Sequence, residues 1–306
     1  MRLIESKAEY IPQEEGLGGI YKQIELAGRT AYHSQDKITP DSAKDFVDRM
    51  VKSHHGAALE HGTVYLNIPI TTHYSGDANI YMDSPYCKVN KSEGFKFKDI
   101  YGDNVDCWCV TTNLRFIQEN DLWDDVKELL CSPTEFHEKR YTMRFTCSRA
   151  IANELVRHRV FSFLQESTRY INYSKEKHGG ELTLIVPDRS AWYGSEESKG
   201  EAYWSMLGLL DDIEEVYMEA IKCGVQPQVA RDILPNATKT ELIMTGFASD
   251  WRHVFDLRLF GKTGAPHPDM LDLMQKAQKS MQEAGIWEDI MSKHSKFEQY
   301  GSEDNL

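Results

Sequence analysis

No run of about 18 apolar residues occurs in the 306-residue chain, so no membrane-spanning helix is expected. The opening stretch MRLIESKAEY has no apolar core of signal-peptide length, and the expectation is a cytoplasmic protein. Cysteine is sparse: Cys87, Cys107, Cys109, Cys131, Cys147 and Cys223. A chain of this length needs no disulfide framework, so these read as buried or free thiols. Cys107-Trp108-Cys109 is the one close pair, and no second Cys or His pair follows at zinc spacing. Basic charge is also short. There are 35 Lys and Arg against 48 Asp and Glu, a net charge of −13. That balance argues against a broad nucleic-acid surface, which would need clustered cations. A basic cluster in this chain is therefore local and suited to a small anion. Internal repeats and low-complexity segments are absent.

Hydrophobic residues make up 41% and charged residues 27%, the balance of a folded chain rather than a disordered one. The segment 39–54 reads as a helix, with Thr39 as its cap, Pro40 in its first turn, and Ala43, Phe46, Val47, Met50 and Val51 on one face. Val64, Leu66 and Ile68 alternate as a strand, as do Met143, Phe145 and Cys147. Ser148 is placed to cap a helix running to about Val156. Residues 182–186 read as another strand, stopped by Pro187. The strongest helix spans 201–223, with Trp204, Leu207, Leu210, Ile213, Val216, Tyr217, Ala220 and Ile221 marking its apolar face. Further helices are expected near 227–233, 238–254 and 268–283, the last with Met270, Met274 and Met281 in the core. The glycine-rich Gly16–Gly19 reads as a turn, since no phosphate-loop lysine follows it. Strands and helices mix without regular alternation. The expected class is α+β, a mixed sheet with packed helices. Residues 70–141 have few clear periods and read as an insertion within a single 1–306 domain.

The densest chemistry lies in ELVRHRVFSFLQESTRY. Arg157, His158, Arg159 and Arg169 put three arginines and a histidine within thirteen residues. Guanidinium forks match phosphate oxygens bidentately. Ser167 and Thr168 add hydroxyls, and Gln165 adds an amide able to read a base edge. Cations that only complement a helix dipole would account for one or two of these residues, not for the polar block after them. An anion-binding site for a nucleotide or dinucleotide is the expectation.

Arg157-His158-Arg159, seven residues, then Ser167 resembles the signature of the flavin-dependent thymidylate synthases. Three further segments resemble that family in order: Leu59-Glu60-His61, the run Gln228 to Pro235, and Phe255-Asp256-Leu257-Arg258. The resemblance covers roughly residues 20–70 and 142–285. It implies reductive methylation of dUMP to dTMP, with methylenetetrahydrofolate as carbon donor and NADPH-reduced FAD as hydride donor. It implies that His61, Arg157, His158, Arg159, Gln165 and His253 meet the flavin. It implies that Glu154, Arg157, Gln165, Glu166, Ser167, Thr168, Arg169, Arg231 and Arg258 meet dUMP, with Arg258 the catalytic arginine against the uracil. A homotetramer with active sites shared between subunits is implied as well. The chain departs from compact members at Ala31, Leu164, Phe247 and His253, so the flavin contact near 247–249 is expected from the backbone. Conventional thymidylate synthases use a cysteine that follows proline, and no cysteine here follows proline. No resident metal is expected.

Two other classes share single features with this chain. A nucleotide- or RNA-binding module could use the same Arg/His cluster, although the net charge of −13 and the lack of interleaved aromatic residues oppose it. A metal-dependent nucleotide hydrolase could use His54, His55 and His61, but no carboxylate or cysteine spacing completes such a site.

Overall fold

The computed structural model describes residues 1–70, 78–92, 97–98, 102–169, 171–176, 179–186 and 197–295. The strands in chain order are β1 (Arg2–Ile4), β2 (Lys7–Ile11), β3 (Thr63–Pro69), β4 (Lys88–Lys91), β5 (Phe97–Lys98), β6 (Asn104–Val105), β7 (Cys107–Asn113), β8 (Arg140–Ser148), β9 (Ser162–Gln165), β10 (Thr183–Ile185) and β11 (Lys239–Phe247). The helices are α1 (Gly16–Ala31), α2 (Ser42–Lys52), α3 (Gly56–Leu59), α4 (Asn79–Met82), α5 (Leu114–Glu119), α6 (Trp123–Leu129), α7 (Arg149–Leu155), α8 (Glu197–Lys222), α9 (Pro227–Ala230), α10 (Ala248–Arg258), α11 (Pro268–Glu283) and α12 (Trp287–Met291). No helix among the described residues is long and apolar enough to cross a membrane.

A four-stranded sheet runs in the order β2-β8-β11-β9, with antiparallel neighbours throughout. A second sheet, β3-β7-β4, is also antiparallel. β1 and β10 pair in parallel. The α+β class holds. The central strands β8 and β11 send Met143, Phe145, Leu242 and Met244 into a core closed by Trp251 and Phe255 of α10 and Met270, Met274 and Met281 of α11. A second cluster joins Ile20 and Ile24 of α1, Phe46 and Val47 of α2, Val64 and Leu66 of β3, and Val110 of β7. Within 70–141, β7 pairs along its length with β3, so this stretch supplies the middle strand of a sheet.

Several expected elements are present. Val64, Leu66 and Ile68 all point inward from β3. Ser148 caps α7, its hydroxyl accepting the Ile151 N–H at 3.3 Å. α11 keeps its expected bounds, and its methionines are buried. α2 is shorter than expected, and Asp41 rather than Thr39 stands at its cap position. The strand over 182–186 is β10, and Pro187 lies outside the described residues.

Three expectations are corrected. Residues 239–247 form strand β11, not the start of a helix. A central strand buried on both faces loses its alternation and reads as a mixed apolar run. Gly16 to Gly19 open helix α1 instead of making a turn, and a side chain at Gly19 would meet the Glu14 carbonyl oxygen at 1.9 Å. On α8, Trp204 and Val216 are 64% and 57% exposed. The other expected positions hold: Leu210 and Tyr217 are buried, and Leu207, Ile213, Ala220 and Ile221 pack against that core, so only these two residues leave the apolar face.

Candidate active site

Helix α7 ends at Leu155, and residues 157–161 turn back into β9. That turn exposes Arg157 and Arg159 and buries His158 between them. Phe161 props the imidazole edge-on, with ring centroids 6.5 Å apart, and itself stacks edge-on against Trp251 at 4.9 Å. Phe161 can lie flat on β11 because residue 246 is glycine; a Cβ there would stand 2.3 Å from its ring. Packing thus fixes the direction in which His158 points.

Helix α10 comes from the other end of the chain and faces this turn. Arg258 donates through Nη1 to Glu154 Oε2 at 3.1 Å and through Nε to His158 Nε2 at 3.4 Å. The acceptor role of Nε2 places the His158 ring proton on Nδ1. A cavity of about 380 Å³ opens here, lined by Arg157, His158, Arg159, Asp250, His253 and Arg258 among others. Among the described residues neither polar bond of Arg258 uses Nη2, which leaves donors for a ligand. Three arginines and two histidines around one cavity can take phosphate and other anionic oxygens.

The expected nucleotide loop lies elsewhere on the same chain. It leaves the far end of β9, four residues on, or roughly 13 Å at the usual strand rise. Gln165 donates to Thr240 Oγ1 at 3.2 Å. Ser167 N–H donates to the Ala31 carbonyl at 3.2 Å. Arg231 reaches Thr168 Oγ1 at 3.4 Å, and Arg169 is exposed. Glu166 is buried, its carboxylate 3.0 Å from Lys239 Nζ and 3.4 Å from His33 Nε2. Glu154, Arg157, His158, Arg159, His253 and Arg258 are therefore gathered at the start of β9. Gln165, Glu166, Ser167, Thr168, Arg169 and Arg231 are gathered at its end.

His61 is separate again. It is fully buried beside β11, with Nδ1 2.8 Å from Thr245 Oγ1, and Thr142 Oγ1 continues the chain at 2.8 Å. Its Nε2 has no hydrogen-bond partner among the described residues. Burial, and secondly the Arg140 charge, push its pKa down to about 3, so the ring is neutral. His54 and His55 are exposed and do not share its environment. Among the described residues, no group of three His, Cys, Asp or Glu could hold a metal ion.

Arg140 had no signal in the sequence. It is buried, donates to the Glu60 carbonyl at 3.1 Å and to Ser162 Oγ at 3.2 Å, and lies 5.5 Å from the Phe247 ring centroid. Desolvation lowers its pKa to about 10. Phe247 is enclosed by this guanidinium and by Lys88. The N–H groups of residues 248 and 249 are committed to the Lys139 carbonyl and to Glu138 Oε1. Ala31 offers its carbonyl to the Ser167 loop, and Leu164 packs into the second core.

The model of the thymidylate synthase complementing protein family matches residues 126–284, more than half of the chain. The chain belongs to this family. The match contains the whole cluster at the start of β9 and the loop at its end. The chain is 33% identical over 152 residues to a flavin-dependent thymidylate synthase of Pyrococcus furiosus, covering 49% of this chain and 59% of that protein. It is 37% identical over 115 residues to the Corynebacterium diphtheriae protein of the same description, covering 36% of this chain and 45% of that one. The aligned residues thus span about half of the length of these relatives. A UMP/dUMP methylase, PolB, from Streptomyces cacaoi bound with 5-Br dUMP aligns over 95% of this chain and 97% of its own, with 14% identity and a TM-score of 0.45.

Proposed function

We propose that this chain is a flavin-dependent thymidylate synthase. The methylene group of methylenetetrahydrofolate passes to C5 of dUMP, and a hydride completes the methyl group of dTMP. The observation that carries the reading is the meeting of Arg157, His158 and Arg159 with Arg258 at one cavity, from segments about 100 residues apart. Membership of the family and the flavin-dependent synthases among its relatives support it.

The residues suit a flavin. The cavity of about 380 Å³ falls in the range of small-molecule sites. Its arginines suit a pyrophosphate, and the unmatched Nε2 of buried His61 suits a polar atom of a ring system. In this reading Arg157, His158, Arg159 and His253 hold FAD at this cavity, His61 meets it from its own buried place beside β11, and Gln165, at the other end of β9, reaches it from a second subunit. When bound, the flavin supplies the hydride after reduction by NADPH.

The chain's own groups then bind and polarise. Ser167, Thr168, Arg169 and Arg231 hold the nucleotide phosphate and sugar by charge-assisted hydrogen bonds. Arg258 lies against the uracil and stabilises negative charge as the ring becomes nucleophilic, a preorganised electrostatic role. Glu154 holds Arg258 in place beforehand. No cysteine takes part. Cys147, the thiol nearest the motif in sequence, is 1% exposed, and burial pushes its pKa up to about 12. A thiol so held stays protonated at neutral pH and is a poor nucleophile.

The distance along β9 between the two clusters supports active sites shared between subunits of a homotetramer, the start of β9 from one chain facing the end of β9 from another. The test is product formation. The purified chain with FAD, NADPH, methylenetetrahydrofolate and dUMP is expected to yield dTMP. Absence of dTMP with all four present would overturn the reading.

A further inference from the structure

We propose that Glu166 is a positioning residue that shapes the Ser167–Arg169 loop from inside the protein and makes no contact with the nucleotide. This rests on the synthase reading for what the loop binds, while the shaping itself rests on geometry alone.

β9 pairs with β11 up to Gln165, which stands opposite Leu242. The next residue makes a reciprocal exchange. Glu166 N–H donates to the Glu241 carbonyl at 2.8 Å, and Glu241 N–H donates to the Glu166 side chain, Oε2, at 2.9 Å. A side-chain oxygen takes the place that a backbone carbonyl would hold had the strand continued. The chain can therefore leave the sheet after residue 166 without orphaning a buried N–H, which would otherwise cost free energy. The departing chain turns toward α1, where Ser167 N–H meets the Ala31 carbonyl at 3.2 Å. Thr168 and Arg231 meet just beyond.

The carboxylate is committed on both oxygens. Oε2 also takes Lys239 Nζ at 3.0 Å, and Oε1 stands 3.4 Å from His33 Nε2. The Glu166 side chain is 2% exposed and that of Lys239 12%. Lys239 reaches Glu241 Oε1 as well, at 3.0 Å. A buried carboxylate already satisfied by three protein groups offers a ligand nothing without breaking that set. A carboxylate facing a nucleotide phosphate would also repel it. Position in the motif made Glu166 look like a ligand contact; its surroundings make it the pivot on which the loop turns.

The test uses the full chain in the flavin-loaded state for binding and the ligand-free state for dynamics. Calorimetric titration with dUMP is run on the wild type and on Glu166→Ala, Glu166→Met, Glu166→Gln, Lys239→Met and the Glu166→Gln/Lys239→Met double variant. Amide exchange of residues 166–169 is followed without nucleotide. Glu166→Ala and Lys239→Met are each expected to weaken dUMP binding about tenfold and to speed exchange of the empty loop. The double variant is expected to lose no more than the worse single one, because both act through one contact. Should Glu166→Ala fail to fold, Glu166→Met carries the same test, since it keeps the bulk of the side chain and removes the oxygen that accepts from Glu241. Unchanged exchange in the empty loop overturns the proposal, and so does weaker dUMP binding in the Glu166 variants with Lys239→Met neutral, since that pattern belongs to direct contact. A wild type that binds no dUMP overturns the synthase reading instead, and loop exchange still decides the role of Glu166.

Discussion

Arg258 Nη1 lies 3.1 Å from Glu154 Oε2, and both side chains keep about a quarter of their surface in water, 25% and 29%. A pair this exposed is worth little to stability, about 0 to 1 kcal/mol. Its value lies in direction. It turns the guanidinium toward His158 and leaves Nη2 uncommitted among the described residues, while weak pairing lets a better anion draw the arginine away. Arg258→Ala is expected to abolish dTMP formation and to leave flavin absorbance unchanged. Turnover and absorbance measured on the same sample check this. Unimpaired turnover would remove Arg258 from the chemistry.

Cys147 points into the core from β8 and behaves there as a small hydrophobe. Cys147→Ala is expected to turn over within about twofold of the wild type, as befits a packing residue. A folded but inactive variant, established by circular dichroism beside the assay, would reopen a cysteine mechanism.

The loop, the motif and the cap at Ser148 were legible because each is local. Arg157, His158, Arg159 and Ser167 declare themselves by spacing, and α11 by its methionines. β11 was not legible, because a strand buried on both faces has no period to read. Arg140 was invisible for another reason. Its partners Thr63 and Glu60 lie 77 and 80 residues away in sequence, and nothing around it marks them. Glu166 and Lys239 are 73 apart, and His61 and Thr245 are 184 apart. Motif spacing shows which residues are present; the sheet decides which of them meet.

His61 gives the fold an acid sensitivity. Its pKa is about 3 in the folded chain against 6.5 for the free side chain. Below pH 6.5 the unfolded chain takes up a proton that the folded chain refuses. Stability from this group is therefore full above pH 6.5 and drains away as pH falls toward 3. By pH 5 the loss is expected to be roughly 2 kcal/mol. Urea unfolding of the wild type and His61→Asn at pH 7 and pH 5 checks it. The wild type should lose more than the variant; equal losses would contradict the burial of a neutral ring.

Asp256 anchors the end of α10. It is fully buried and is met by Arg252 Nε at 3.3 Å, Lys262 Nζ at 3.2 Å and the Ser295 hydroxyl. Asp256→Ala leaves two cations facing a cavity and is expected to cost roughly 3 kcal/mol. The midpoint of urea unfolding, at unchanged slope, measures it. A cost below about 1 kcal/mol would show that the network adds little to holding the helix that carries His253 and Arg258.

The visible absorption spectrum of the purified protein, taken before and after adding dUMP, bears most directly on whether the cavity beside Arg258 holds a flavin next to a nucleotide. A flavin spectrum that shifts when dUMP is added is the expected result. A protein that carries no flavin and takes up none from added FAD would contradict it.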